Sequence, residues 1–373
     1  MPLIVISGGG TGGHIYPAVG LAQAIVKIEP DIGICFIGGA DRLESKIVPQ
    51  HGFRFLPISV AGFPRKLTWK WFSVIGKACR GFAQSLQFIG RLKPSVVVGT
   101  GGYVSGPVLF AASRLGIPTA IQEQNASAGL TNRILARWAT MAYLAFPSAA
   151  NGLSADIVKI TGNPIRPQIV SFTRSPETYK KLGLDPDRKT IFVMGGSQGA
   201  NAINQIVIKM LPELAHLHKH LQLVHQTGET DLQQVKGHYD GSPMKHVVQP
   251  YFDPIGEIYS ISDLMVCRAG GMTISEITAC GLPAIFIPLP STPGNNQELN
   301  AQVVSKSGAG VVVNQQTLTG QLLAEQITGI IGNPNKQKQM SDASRKFGNP
   351  HASEEIAKFI LSLAHKGLKA KIS

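Results

Sequence analysis

Short apolar runs alternate with longer amphipathic stretches along the whole chain, a pattern that predicts strands and helices in turn. In the first half strands are expected at Leu3–Ser7, Gly33–Gly38, Arg54–Ile58, Val96–Gly99, Thr119–Gln122, Met141–Ala145 and Ile157–Ile160. Helical spacing runs from about Pro17 to Ile28, Leu43 to Gln50, Trp71 to Leu92, Val108 to Leu115 and Ala128 to Trp138. The second half repeats the pattern, with strands near Ile191–Met194, Leu221–Gln226, His246–Gln249, Leu264–Cys267, Ala284–Ile287 and Gly310–Val313. Strictly alternating elements of this kind belong to an α/β protein, with parallel sheets covered by helices on both faces.

Glycine-rich turns follow several of these runs. Ser7-Gly8-Gly9-Gly10-Thr11-Gly12-Gly13-His14 comes after the first, and Gly195-Gly196-Ser197-Gln198-Gly199-Ala200 after Thr190–Met194. Gly99-Thr100-Gly101-Gly102-Tyr103-Val104-Ser105-Gly106-Pro107 and Arg268-Ala269-Gly270-Gly271-Met272-Thr273 are two more. Glycine lets a backbone take positive φ and approach a ligand closely, and the helix start beyond it offers N–H groups to an anion. One fit to G-x-G-x-x-G is weak; recurrence after successive strands is not linker composition. The turns at Gly8 and Gly195 each open one half, as in two Rossmann-like domains facing each other across a cleft. Thr161-Gly162-Asn163-Pro164-Ile165-Arg166-Pro167 discourages helix and marks the expected boundary, giving domains 1–162 and 163–349. A helix over about 350–373 is expected to pack back on the first.

Composition narrows the class. The chain's 373 residues suit two domains, and no apolar stretch is long enough to span a bilayer. The first strand begins almost at the N-terminus, so no signal peptide is expected. Cys35, Cys79, Cys267 and Cys280 lack metal-ligand spacing and read as free thiols in a reducing, cytoplasmic compartment. The net charge of +13 is uneven: between Ser45 and Gln122 ten Lys or Arg occur with no acidic residue. Seven of them fall between Arg65 and Lys93, among Phe63, Trp69, Trp71, Phe72, Ile75, Phe82 and Phe88. Such a segment meets nucleic acid or an anionic membrane, or else is a solvated helix face whose aromatics are core.

The chemistry-bearing residues carry competing readings. His14 closes a glycine turn as a phosphate contact, a structural group or a general base. Glu276 is either a ribose acid or, with Thr273, a capping box. Ser197 either meets a diphosphate or caps a helix. The amides of Pro290 to Ala301 suit sugar hydroxyls or an ordinary loop, and Gln122-Glu123-Gln124-Asn125 stands where α/β sheets bind ligands. No H-E-x-x-H or cysteine cluster occurs, so no metal ligands are assigned.

Gly9-Gly10-Thr11-Gly12-Gly13-His14-x-x-Pro17, Gly101-Gly102-Tyr103-Val104-Ser105-Gly106-Pro107, Gln122-Glu123-Gln124-Asn125, Gly162-Asn163-Pro164-Ile165-Arg166, Gly195-Gly196-Ser197-Gln198-Gly199-Ala200 and Thr273-Ile274-Ser275-Glu276 together resemble the MurG family, in its order and spacing. These are glycosyltransferases of family 28. The resemblance implies the GT-B fold and transfer of N-acetylglucosamine from UDP-N-acetylglucosamine to lipid I, giving lipid II for peptidoglycan. It implies inversion at the anomeric carbon and no cofactor. By position, Thr11, Gly12 and Gly13 line the first domain's side, His14 lies near the reacting centre as candidate base, and Asn125 meets the donor sugar. Gly101, Gly102, Tyr103 and Ser105 form an acceptor or diphosphate loop. Arg166, Ser197, Phe252, Gly271, Met272, Thr273, Ile274, Ser275 and Glu276 are donor-nucleotide contacts, with Gln297 on the sugar. Phe252 departs from a commonly aliphatic position, so its backbone is the expected contact. The implied partners are the donor, lipid I, an anionic membrane surface and other cell-wall synthesis proteins, with no nucleic acid. The implied place is the cytoplasmic face of the plasma membrane, bound peripherally. Rival readings are another GT-B enzyme, such as a glycolipid glycosyltransferase or UDP-N-acetylglucosamine 2-epimerase, and a non-catalytic nucleotide-sugar-binding or membrane-scaffold protein.

Overall fold

The computed structural model describes residues 2–62, 70–290 and 293–372. It divides into two compact units, Met1–Arg166 with His351–Ser373, and Pro167–Pro350.

The first unit holds a seven-stranded sheet of β1 (Leu3–Ser7), β2 (Gly33–Gly39), β3 (Arg54–Ile58), β4 (Val96–Gly99), β5 (Thr119–Glu123), β6 (Met141–Leu144) and β7 (Ile157–Ile160). Its order is β3-β2-β1-β4-β5-β6-β7, all parallel. Between the strands run α1 (Gly12–Ile28), α2 (Glu44–Gln50), α3 (Lys70–Leu92), α4 (Ser105–Arg114) and α5 (Leu130–Leu135).

Strand residues alternate between two cores, as a period of two requires. Ile4, Ile6, Phe36, Val96 and Val98 face Leu21 and Ile25 of α1. Val5, Cys35, Ile37, Val97 and Ile121 face Ile89 of α3, Val108 and Leu109 of α4 and Leu135 of α5. Each such aliphatic side chain contributes about 1.5–3 kcal/mol by leaving water.

The second unit holds β8 (Lys189–Met194), β9 (Leu221–Gln226), β10 (Lys245–Gln249), β11 (Leu264–Cys267), β12 (Ala284–Phe286) and β13 (Gly310–Val312) in the order β10-β9-β8-β11-β12-β13. This six-stranded sheet is also parallel throughout. Its helices are α6 (Gln168–Ser171), α7 (Pro176–Leu182), α8 (Asn201–Leu214), α9 (Leu232–Tyr239), α10 (Ile255–Ile261), α11 (Gly271–Ala279), α12 (Asn296–Lys306), α13 (Gly320–Ile331) and α14 (Pro334–Phe347).

A last helix, α15 (Ala352–Ile372), belongs to the first unit. Ile356, Ile360 and Ala364 enter the α1 core, and Ser353 Oγ donates to Ile165 O at 2.5 Å. Lys27–Glu354 and His365–Glu29 pairs at 3.0 and 2.9 Å flank that contact.

Both sheets follow the doubly wound order in which the chain reverses direction beside the first strand of each unit. In the first unit the reversal lies between β1 and β4, where Ser7 sits beside Gly99. In the second it lies between β8 and β11, where Met194 sits beside Cys267. The four glycine-rich turns therefore meet in two pairs, one pair at the carboxyl edge of each sheet.

One detail differs from the sequence reading and one agrees with it. Helix α1 starts at Gly12, five residues before Pro17, because glycines and His14 form its first turn while the proline is buried in its second. All four cysteines are free; Cys79 is exposed, whereas burial pushes the Cys267 and Cys280 thiols up to about 12. Among the described residues no helix is long and apolar enough to cross a membrane.

Candidate functional site

In the first unit the Gly8 and Gly99 turns are locked together. Thr100 Oγ1 donates to His14 O at 2.7 Å, and Thr100 N donates to Ser7 O at 2.9 Å. Beneath the first turn lies Glu44, fully buried at the start of α2, which accepts from Gly39 N at 3.0 Å and Gly10 N at 3.1 Å. The His14 ring lies against Gly101 and Gly102, whose φ angles are +97° and +78°. A Cβ on Gly101 would stand 2.9 Å from His14 Nδ1, so only glycine leaves room for the imidazole. Nδ1 lies 3.1 Å from Thr100 O and 2.9 Å from Gln124 Oε1.

Glu123, buried at the end of β5, organises the next loop. It accepts from Asn125 N and Nδ2 at 3.0 and 3.1 Å, from Gly129 N at 2.9 Å and from Asn132 Nδ2 at 2.8 Å. Tyr103 covers Gly10, with the Arg42 guanidinium 5.8 Å from its ring centroid. Burial raises the Tyr103 hydroxyl above its ordinary value, Arg42 opposes that and Glu44 adds to it, so the group stays a neutral donor at neutral pH. Ser105 is buried and donates to Gly102 O at 2.9 Å, closing the turn from inside. Arg166, the last residue of the first unit, lies over the Tyr16 ring at 4.9 Å.

In the second unit the Gly195–Ala200 turn presses on the loop after β9. A Cβ on Gly199, at φ +77°, would stand 1.9 Å from Thr227 O. Gln226 is buried and ties two loops together: its Nε2 donates to Gly196 O at 3.0 Å and its Oε1 accepts from Phe252 N at 3.0 Å. The Phe252 ring is buried edge-on against Phe192 at 5.8 Å. Across the switch point, α11 starts at Gly271 and leaves the first-turn N–H groups of Met272 and Thr273 without intrahelical acceptors. Glu276 is buried one turn later and accepts from Tyr259 Oη at 3.1 Å. Burial, reinforced by that carboxylate, lifts the Tyr259 hydroxyl well above the ordinary tyrosine value. Arg268, buried at the end of β11, donates to Ile287 O at 3.0 Å and Pro288 O at 3.2 Å, and burial lowers its pKa from the ordinary value. Gln297 Oε1 accepts from Leu289 N at 2.9 Å, while Asn300 Nδ2 reaches Ala269 O at 3.1 Å.

Each unit thus presents glycine turns and helix starts at the edge where α/β sheets bind phosphorylated ligands, and the second adds a buried acid suited to a ribose. Residues 4–144 match the glycosyltransferase family 28 N-terminal domain, and residues 190–356 match the family 28 C-terminal domain. A relative from Halothermothrix orenii is 41% identical over 366 residues, covering 96% of this chain and 98% of its own. One from Anaeromyxobacter sp. (strain Fw109-5) is 39% identical over 363 residues, covering 97% and 94%. The chain belongs to glycosyltransferase family 28. Both relatives carry the name UDP-N-acetylglucosamine–N-acetylmuramyl-(pentapeptide) pyrophosphoryl-undecaprenol N-acetylglucosamine transferase. The crystal structure of Acinetobacter baumannii MurG is 26% identical, with a TM-score of 0.78 over 97% of this chain and 100% of that one.

For this family 28 glycosyltransferase, several local expectations need correction. Thr273 and Glu276 form no capping box, because the helix begins at Gly271 with Gly270 as cap and carries no acid in its first turn. Ser197 does not cap α8; it is exposed four residues before that helix, whose cap is Ala200. The Gly10 N–H is spent on Glu44, so an anion at α1 would meet Thr11, Gly12 and Gly13 instead. Ile274 is fully buried, so its side chain belongs to the core and is not open to a ligand. The chain also contains a D-x-D that the motif reading did not take up, Asp185-Pro186-Asp187, and it is a turn: Asp185 accepts from Asp187 N and Arg188 Nε, each at 3.1 Å.

Sequence reasoning missed Glu44, Gln124 and Gln226 as supports of these turns. Their partners are 34, 110 and 26 or 30 residues away, and no local pattern signals such contacts. On α3, Val74, Ser85 and Ile89 turn inward while Ile75, Lys77, Arg80 and Arg91 are exposed. The expected interfacial residues Phe63 and Trp69 lie outside the described residues, as do the side chains of Trp71 and Phe72.

Proposed function

We propose that this chain transfers N-acetylglucosamine from UDP-N-acetylglucosamine to the C4 hydroxyl of the muramyl sugar of lipid I, undecaprenyl-pyrophosphoryl-MurNAc-pentapeptide, giving lipid II. The observation that carries the reading is the paired glycine turns at each switch point, with His14 in one unit and Glu276 in the other. The names of the near-full-length relatives agree with it. Glu276 holds the ribose, the Gly195 turn and the α11 start receive the diphosphate, and Asn125 and Gln297 meet the sugar. The reaction is one in-line displacement with inversion. The acceptor oxygen bonds to the anomeric carbon as its proton passes to His14 Nε2, and the anomeric C–O bond breaks with its electron pair leaving on UDP. Helix starts and turn N–H groups stabilise that developing charge.

The first unit, residues 1–162 in this scheme, takes the acceptor and meets the membrane, and residues 163–349 take the donor. Exposed Ile75, Leu130, Ile134 and Trp138 support membrane contact. Trp138 and Phe82 flank Phe110, each ring centroid 5.3 Å away, which joins this apolar patch to the cations of α3. Such a surface binds anionic headgroups peripherally at the cytoplasmic face of the plasma membrane. UDP release measured with and without lipid I tests the whole reading. Release dependent on lipid I supports it; release without acceptor, or conversion of the donor to an epimer, overturns it. Activity is expected to persist in EDTA, and His14→Ala is expected to lose roughly 10²–10⁴-fold in turnover.

A further inference from the structure

A buried amide chain leads away from His14. Gln124, Gln122 and Asn163 are 2%, 0% and 1% exposed. Gln124 Nε2 donates to Thr100 O at 2.6 Å, to Gln122 O at 3.2 Å and to Gln122 Oε1. Gln122 Nε2 donates to Asn163 Oδ1 at 2.7 Å, and Asn163 Nδ2 returns to Gln124 O at 3.2 Å. With three acceptors around one end of the Gln124 amide, that end must be the NH2, and Oε1 faces the imidazole. Both groups at His14 Nδ1, Thr100 O and Gln124 Oε1, are then acceptors. The ring proton of the neutral imidazole therefore belongs on Nδ1, and the lone pair is on Nε2.

We infer that Gln124 is a positioning residue, which through Gln122 and Asn163 holds His14 in the Nδ1–H tautomer and turns a basic Nε2 toward the acceptor. The inference rests on the reading of His14 as base. The amide chain runs in one direction, each NH2 donating to the next oxygen, so every link polarises the one before it and makes Gln124 Oε1 a better acceptor. When Nε2 takes the acceptor's proton, the Nδ1–H bond to Gln124 stays in place and steadies the imidazolium without a carboxylate. Gly101 sets the ring's position from the other side, since any side chain there would displace it.

The test is a long-range proton–nitrogen NMR spectrum of the full-length protein labelled in histidine, with the His14 signals identified by their absence in His14→Ala. Nδ1 protonated and Nε2 bare above pH 7 is the expected result. Nε2 protonated with Nδ1 bare overturns the assignment, and this reading needs no other variant to fold. Gln124→Met is expected to mix the two tautomers and lower kcat roughly 10–100-fold, with KM for UDP-N-acetylglucosamine within about twofold of wild type. A folded Gln124→Met with unchanged kcat and an unchanged tautomer also overturns it. Wild-type turnover in His14→Ala would instead sink the base role, and the spectrum still decides what Gln124 does.

Discussion

Replacing Glu276 probes the donor site most directly. The residue is 8% exposed, so bonds from its carboxylate to two ribose hydroxyls would be charge-assisted and little screened. Such bonds are worth roughly 1.5–3 kcal/mol each. Loss of one predicts donor affinity lower by about 1.5–3 kcal/mol, or roughly 10- to 150-fold in Kd, and loss of both correspondingly more. Glu276→Ala also strips the buried Tyr259 hydroxyl of an acceptor 3.1 Å away, a stability cost of about 1–3 kcal/mol. Glu276→Gln keeps an acceptor there and separates the two effects. Its Tm should stay near wild type while its affinity falls at least about tenfold. Calorimetry with UDP-N-acetylglucosamine and its 2′-deoxyribose analogue completes a cycle. If Glu276 holds the ribose, removing the hydroxyl weakens binding to wild type and matters much less in Glu276→Gln. An equal loss in both proteins would refute the ribose contact and leave Glu276 a structural residue beside Tyr259.

Gly199→Ala puts a methyl group 1.9 Å from Thr227 O at φ +77°, so both Tm and donor affinity should drop; unchanged values by thermal scanning and calorimetry would show that the turn has other room. His225, buried with Asn204 and Tyr239, is held down to about 3 by desolvation. The unfolded chain binds that proton near pH 6.5, so stability should fall as pH drops from about 6.5 toward 3, by up to about 1.4 kcal/mol per pH unit. Urea midpoints measured across pH 5–7 should slope less in His225→Gln, and identical slopes would remove His225 from the acid response. Co-sedimentation with anionic vesicles should weaken about tenfold or more when Lys77 and Arg80, both exposed on α3, are reversed to Glu, and should weaken with added salt. Binding indifferent to both changes would place the membrane contact elsewhere.

The alternation of apolar runs and glycine turns already contained the strands and the α/β class. Ile4 and Ile6 against Val5 show why: a strand buried on both faces needs an unbroken apolar run, and a parallel connection needs a helix before the next one. Each turn was legible as a possible ligand loop because glycine after a strand has few other uses. Which turns meet was not legible, since Ser7 beside Gly99 and Met194 beside Cys267 follow from strand order, a property of long-range register. Local capping logic failed at Glu276 for a related reason. Gly270 and Gly271 let α11 start earlier than Thr273, which carried the carboxylate past the first turn and into the core beside Tyr259. The supports of the site were decided by tertiary structure alone. Glu44 under Gly10, Gln226 between Gly196 and Phe252, and Gln124 against His14 are ordinary polar residues in sequence. Burial makes each of them specific, because a polar group removed from water must find its partner wherever the fold brings one.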